Sequence, residues 1–140
     1  FKLYNDHYGH AAGDRCLIEI AQSLKNTLKR PTDIVARYGG EEFIVLLDDI
    51  DLEGTQKVAD SLTQAINALH IPHHYSKAAG QVTISIGIAF KETEDILSKD
   101  ELLKKADEGL YAAKALESGR PDGRGRTRRP ARRLQPVRRK

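Results

Sequence analysis

Two short β-rich runs, "DIVARY" at residues 33–38 and "FIVLL" at 43–47, flank Gly39, Gly40, Glu41 and Glu42. No other feature narrows the fold as much. Runs this short and this close pair only as an antiparallel hairpin, with glycine supplying the turn conformation. The turn chemistry is unusual. A tight hairpin turn ordinarily takes Asn-Gly or Asp-Gly, which tolerate positive φ. Here two carboxylates crowd the bend, and neighbouring like charges repel. Two readings stand open: a solvated turn with two surface glutamates, or a site where paired carboxylates meet a hard divalent cation and a phosphate.

Helical patterns surround the hairpin. The opening "FKLYNDHYGHAAGD" is polar, aromatic and glycine-punctuated, and reads as a functional loop or short helical turn. Leu17, Ala21, Leu24 and Leu28 then form an i, i+4, i+7, i+11 stripe, with Asp14 a candidate N-cap and Pro31 a stop. A second stripe, Val58, Leu62, Ile66 and Leu69, predicts a helix over 52–69. "VTISIGIAF", 82–90, alternates as a strand, and its small-residue face of Thr83, Ser85, Gly87 and Ala89 suits approach by a helix or a ligand. Ser98 with Glu101 forms a capping box ahead of a last helix striped by Leu103, Ala106, Leu110 and Ala113. This order predicts an α+β fold, helices over an antiparallel sheet.

Charge divides the chain. The whole carries +3, yet residues 119–140 alone sum to +9 through nine Arg, one Lys and one Asp. Residues 1–118 therefore sum to −6. The folded part is acidic, so no nucleic-acid partner is expected of it; an inference to nucleic acid would rest on the tail alone. The tail lacks apolar periodicity and reads as disordered and Arg-rich, of no assigned function. No apolar run is long enough to span a membrane, and one cysteine, Cys16, excludes an internal disulfide, so a cytoplasmic setting is expected. His70, His73 and His74 fit no compact zinc spacing and read as a solvated loop.

Several motifs fall in one order: "FK..ND.YGH..GD", "R..D", "ARYGGEEF.VLL", "VT.SIGIA" and "LL..AD.GLY.AK". Together they resemble the GGDEF, or diguanylate cyclase, family over residues 1 to about 115, with Glu at the third signature position. The resemblance implies a palm-like, ferredoxin-like nucleotidyl cyclase fold over 1–118. It also implies condensation of two GTP into cyclic di-GMP in a homodimer, governed by an upstream sensory or regulatory domain. Glu41 would be metal ligand and proton acceptor, and Glu42 would lie beside the same Mg²⁺ (or Mn²⁺). Gly39 and Gly40 would leave room for the nucleotide. Lys2 would stabilise transition-state charge, Asn5 and Asp14 would read guanine, and His10 and Lys114 would touch substrate. Arg30 and Asp33 would form an inhibitory product site; its usual partner arginine is replaced by Ser61. Each has a plain alternative: Asp14 a helix cap, Arg30 and Asp33 a helix-ending charge pair, the others loop or surface residues.

Two departures from the family pattern stand out. The family's first strand, with a metal-binding Asp, would precede Phe1, so the chain is expected to be a piece of a longer protein and inactive alone. The family continues "AK..GRN.V" with another phosphate-binding arginine, a part that would fall to Arg120, two residues late. A receptor module that binds cyclic di-GMP or GTP without turnover is the alternative function.

Overall fold

Aromatic spacing governs the first element. Phe1, Tyr4 and Tyr8 recur at i, i+3 and i+7, one face of a helix, and in the computed structural model, which describes residues 1–76, 79–92 and 94–117, they form one. Helix α1 spans Lys2–Tyr8 and α2 spans His10–Thr27, separated by Gly9 at φ 84. The opening segment is thus helical almost throughout. Asp14 is not a cap: α2 begins at His10, and Asp14 lies exposed in its second turn. The helix starts early because the left-handed Gly9 ends α1 and the Ala11–Ala12 pair favours immediate resumption.

Two compact units are described in turn, Phe1–Ile84 and the one beginning at Ser85. In the first, α2 buries Cys16, Leu17, Ile20 and Leu24. It packs against α1, against strand β1 (Ile34–Gly39) and against α3 (Leu52–Ala68). Helix α3 contributes Leu62 and Ile66, the latter 1% exposed. Each such side chain stabilises by roughly 1.5–3 kcal/mol. Asp51 caps α3 by accepting from Gly54 N–H at 2.6 Å.

Strand β1 pairs antiparallel with β2 (Glu42–Leu46), in register from Ile34 opposite Leu46 to Arg37 opposite Phe43. Tyr38 is then the extra residue of a bulge, after which Gly39 faces Glu42. Beyond α3 the chain closes a short clip. Val82 N–H donates to Ile71 carbonyl at 2.8 Å and His73 N–H to Gly80 carbonyl at 2.9 Å, around a bridge of Pro72 with Gln81. Ile71 and Val82 are buried.

The predicted strand over 82–90 is not one: among the described residues no ladder includes it. Alternating apolar residues supply propensity, but a strand exists only where backbone N–H and C=O groups find a neighbour. In the second unit, α4 (Lys99–Glu117) lies against this segment at Gly87 instead. A Cβ at Gly87 would overlap the Ala106 carbonyl and the Leu110 amide, so the two backbones touch there. The capping box forms as predicted: Ser98 N–H donates to Glu101 Oε2 at 2.8 Å and Glu101 N–H to Ser98 Oγ at 3.2 Å. Among the described residues no helix is long and apolar enough to cross a membrane. The tail over 119–140, with Arg120, lies outside the described residues.

Candidate functional site

The hairpin delivers Gly39, Gly40, Glu41 and Glu42 to its exposed tip. Gly40 has φ 52, the left-handed value that a two-residue turn needs at its first position. Arg37 holds the bend, its Nε donating to the Gly40 carbonyl at 2.9 Å and its Nη2 to the same oxygen. The guanidinium therefore grips backbone, and among the described residues the Glu41 and Glu42 carboxylates have no hydrogen-bond or ion-pair partner. Two free carboxylates match what Mg²⁺ takes from a protein when substrate phosphate and water complete its octahedron. Among the described residues no third His, Cys, Asp or Glu joins them. Gly39 has open space: a Cβ there would meet nothing within 4 Å.

A second cluster forms where α1 meets α2. Asn5 lies on Gly13, where a Cβ would overlap its Oδ1, so glycine admits the amide and sets it beside the residue preceding Asp14. Asn5 Oδ1 is buried with no partner, a group that protein interiors seldom leave unsatisfied. Lys2 and His10 are exposed at the starts of α1 and α2. The structure thus brings Asn5 to Asp14's helix. Among the described residues no hydrogen bond or ion pair joins this corner to the hairpin tip. Lys114 is exposed in the last turn of α4, in the second unit.

Arg30 and Asp33 meet each other. Arg30 donates to Asp33 Oδ1 from Nε at 3.1 Å and from Nη2 at 2.8 Å, and Nη1 donates to the Asp49 carbonyl at 3.1 Å. The Asp33 side chain is only 4% exposed. Ser61 turns back on its own helix, donating to the Lys57 carbonyl at 3.0 Å.

Sequence reasoning missed three residues. Arg37 was visible only as a strand residue, although its position three before Gly40 suits a clamp. Gly13 carried no signal beyond punctuating the opening segment. His73 overturns the solvated-loop reading: it is 8% exposed, edge-on to Tyr4 with ring centroids 5.3 Å apart. Burial lowers its pKa, and it raises those of Tyr4 and Cys16, the thiol to about 11. Cys16 is accordingly unreactive in the fold.

This chain belongs to the GGDEF domain family: the family profile described as "Diguanylate cyclase, GGDEF domain" matches residues 1–120. It is 40% identical over 114 residues to Diguanylate cyclase A of Treponema denticola, covering 81% of this chain and 30% of that protein. To the response regulator PleD of Caulobacter vibrioides it is 38% identical over 120 residues, covering 86% and 26%. The chain thus spans under a third of these relatives' length. Among solved structures, the GGDEF domain of YfiN from Pseudomonas aeruginosa superposes with a TM-score of 0.68 at 36% identity, covering 82% of this chain and 70% of that one. The diguanylate cyclase SiaD, solved with its activator SiaC from the same organism, gives 0.64 at 28% identity, covering 82% and 42%.

Proposed function

We propose that this chain carries the nucleotide site of a diguanylate cyclase, condensing two GTP into cyclic di-GMP with release of two pyrophosphates. One observation carries the reading. Glu41 and Glu42 stand unpaired at an exposed bend whose Gly39 no neighbour in the fold requires. A bound nucleotide gives both features a reason.

In this reading Glu41 takes the proton of one 3′-hydroxyl, and the oxygen attacks the α-phosphorus of the second GTP in line. The bond from that phosphorus to the bridging oxygen breaks, and pyrophosphate departs with the electron pair. The same exchange with roles reversed closes the ring. Two half-sites must therefore face each other, which a two-fold homodimer provides. Asn5 and Asp14 address the donor and acceptor edges of guanine. Lys2 and Lys114 offset phosphate charge as compact ammonium groups, and His10 lies along the substrate. Mg²⁺ (or Mn²⁺), held by Glu41 and Glu42, supplies phosphate polarisation and neutralises the leaving charge when bound. Arg30 and Asp33 form the site where product inhibits. The activity belongs to a cytoplasmic, intact parent protein with a regulatory domain upstream.

The test is Glu41→Gln in that parent, supplied with Mg²⁺ and GTP. Cyclic di-GMP formation falls by at least about a hundredfold; an undiminished rate removes Glu41 from the chemistry.

The preformed Arg30–Asp33 pair favours a second reading, a cyclic di-GMP receptor without turnover. Calorimetry separates the two: receptor behaviour is binding abolished in Arg30→Ala with no product formed from GTP.

A further inference from the structure

Helix α1 carries Lys2 and Asn5, and a segment remote in sequence grips its aromatic face. Tyr4 and Tyr8 lie with ring centroids 4.7 Å apart, and Phe1 stacks on Tyr4 at 5.4 Å. Against them stands His73, edge-on to Tyr4 at 83° and to Tyr8 at 73°. The clip holds it from behind through Gly80, and the next N–H, of His74, donates to the Tyr8 hydroxyl at 3.2 Å. His73 Nδ1 is buried with no hydrogen-bond partner. A seven-residue helix does not persist on its own propensity, so these contacts and the Asn5–Gly13 contact fix how it lies.

We infer that His73 is a positioning residue for the nucleotide site: its neutral ring seats α1 so that Asn5 and Lys2 are presented, and protonation unseats the helix. The inference rests on the roles proposed above for Asn5 and Lys2. The groups acting on the ring are the Tyr4 and Tyr8 phenols and His7 from α1, the Phe1 amine, and His74 from its own segment, while Tyr75 stacks on His7. Glu19 and Arg15 of α2 act on Tyr4 behind it. None of the charged groups acting on the ring is a carboxylate. An imidazolium there would be a buried cation without an anion, which interiors disfavour strongly. Burial lowers the pKa of His73, and the neighbouring positive groups lower it further. The folded state thus binds fewer protons than the unfolded one. The seat is complete above the usual histidine value of 6.5 and weakens as pH falls from there toward the lower folded value.

Hydrogen exchange of α1 amides, measured on the 140-residue chain without nucleotide and corrected for intrinsic rates, tests the seat. Protection of α1 relative to α2 should fall at least about threefold between about pH 7.5 and pH 5.5. His73→Phe, which keeps the aromatic packing, should remove that step, whereas His7→Asn and His74→Asn should keep it. A step unchanged in His73→Phe, or lost in His7→Asn or His74→Asn, overturns the proposal. If His73→Phe fails to fold, as α2 and α3 exchange would show, His73→Gln replaces it, with the same two outcomes. Titration with Mg·GTP then tests the link to the site. Affinity should drop more steeply with acid in the unsubstituted chain than in His73→Phe; phosphate titration is common to both and cancels. Parallel drops overturn the link. An exchange step with no GTP binding at any pH supports the seat and overturns the nucleotide reading instead.

Discussion

Gly87 and Gly39 both lie in β-rich stretches, and the local pattern does not tell them apart. At Gly87 a Cβ would overlap the backbone of α4 and come within 2.9 Å of Leu110 Cα, and at Gly109 it would meet Gly87 Cα at 3.4 Å. At Gly39 it would meet nothing within 4 Å. Glycine in a strand or helix costs about 0.5–1 kcal/mol against alanine. Close packing of two backbones offsets that cost at Gly87. Within the described fold nothing offsets it at Gly39, and the open space there is the room that the nucleotide proposed above would take. Gly13 falls between them, because the atom in its way is the tip of the Asn5 side chain, which can move.

Substitutions can break or sharpen this contrast. The largest effect belongs to Gly87→Ala, which must displace helix backbone and should cost about 3 kcal/mol in urea denaturation; a cost below about 0.5 kcal/mol would show that the crossing is loose. Ser98→Ala frays α4 without touching the crossing and should cost about 1 kcal/mol, so it separates helix loss from overlap. It should also reduce, without erasing, an acid-dependent component, because alanine keeps the backbone N–H and loses only the hydroxyl. Ser98's backbone N–H, then its hydroxyl, hold the Glu101 carboxyl below its usual 4.5. That stability is present above 4.5 and is lost as pH falls through the lower folded value. Gly13→Ala should change stability by less than about 1 kcal/mol, since the helix gains what Asn5 gives up. Calorimetry should nevertheless find Mg·GTP bound about tenfold more weakly, roughly 1.4 kcal/mol. Gly39→Ala should be smallest in stability, within about 0.5 kcal/mol, while still weakening Mg·GTP. If Gly39→Ala destabilises as much as Gly87→Ala, the contrast fails.

Legibility followed how local each determinant is. The α3 stripe, the Ser98–Glu101 box and the hairpin each need only neighbours in sequence, and each forms where the pattern placed it. The first fourteen residues were harder. Their aromatic spacing is helical, but Gly9 and Gly13 argued for a loop, and glycine's role at Gly13 depends on Asn5 arriving from another helix. His73 was misread because two flanking histidines and Tyr75 look polar; only the fold reveals that α1 covers the middle one. Residues 82–90 had every β preference except a paired neighbour, which no local pattern supplies. The site divides in the same way. Glu41 and Glu42 announced themselves through an improbable turn, whereas Asn5, Lys2 and Lys114 drew meaning only from a family pattern.

The Arg30–Asp33 pair has a consequence for any effector that lands there. Its guanidinium fork is already spoken for, so a newcomer swaps partners instead of adding them, and affinity reflects the difference between two sets of bonds. Asp33→Asn loosens the resident partner. A ligand that wants only the cation should then bind more tightly, and one that also donates N–H hydrogen bonds to the carboxylate should bind more weakly. That reversal of sign distinguishes bare phosphate from a guanine edge.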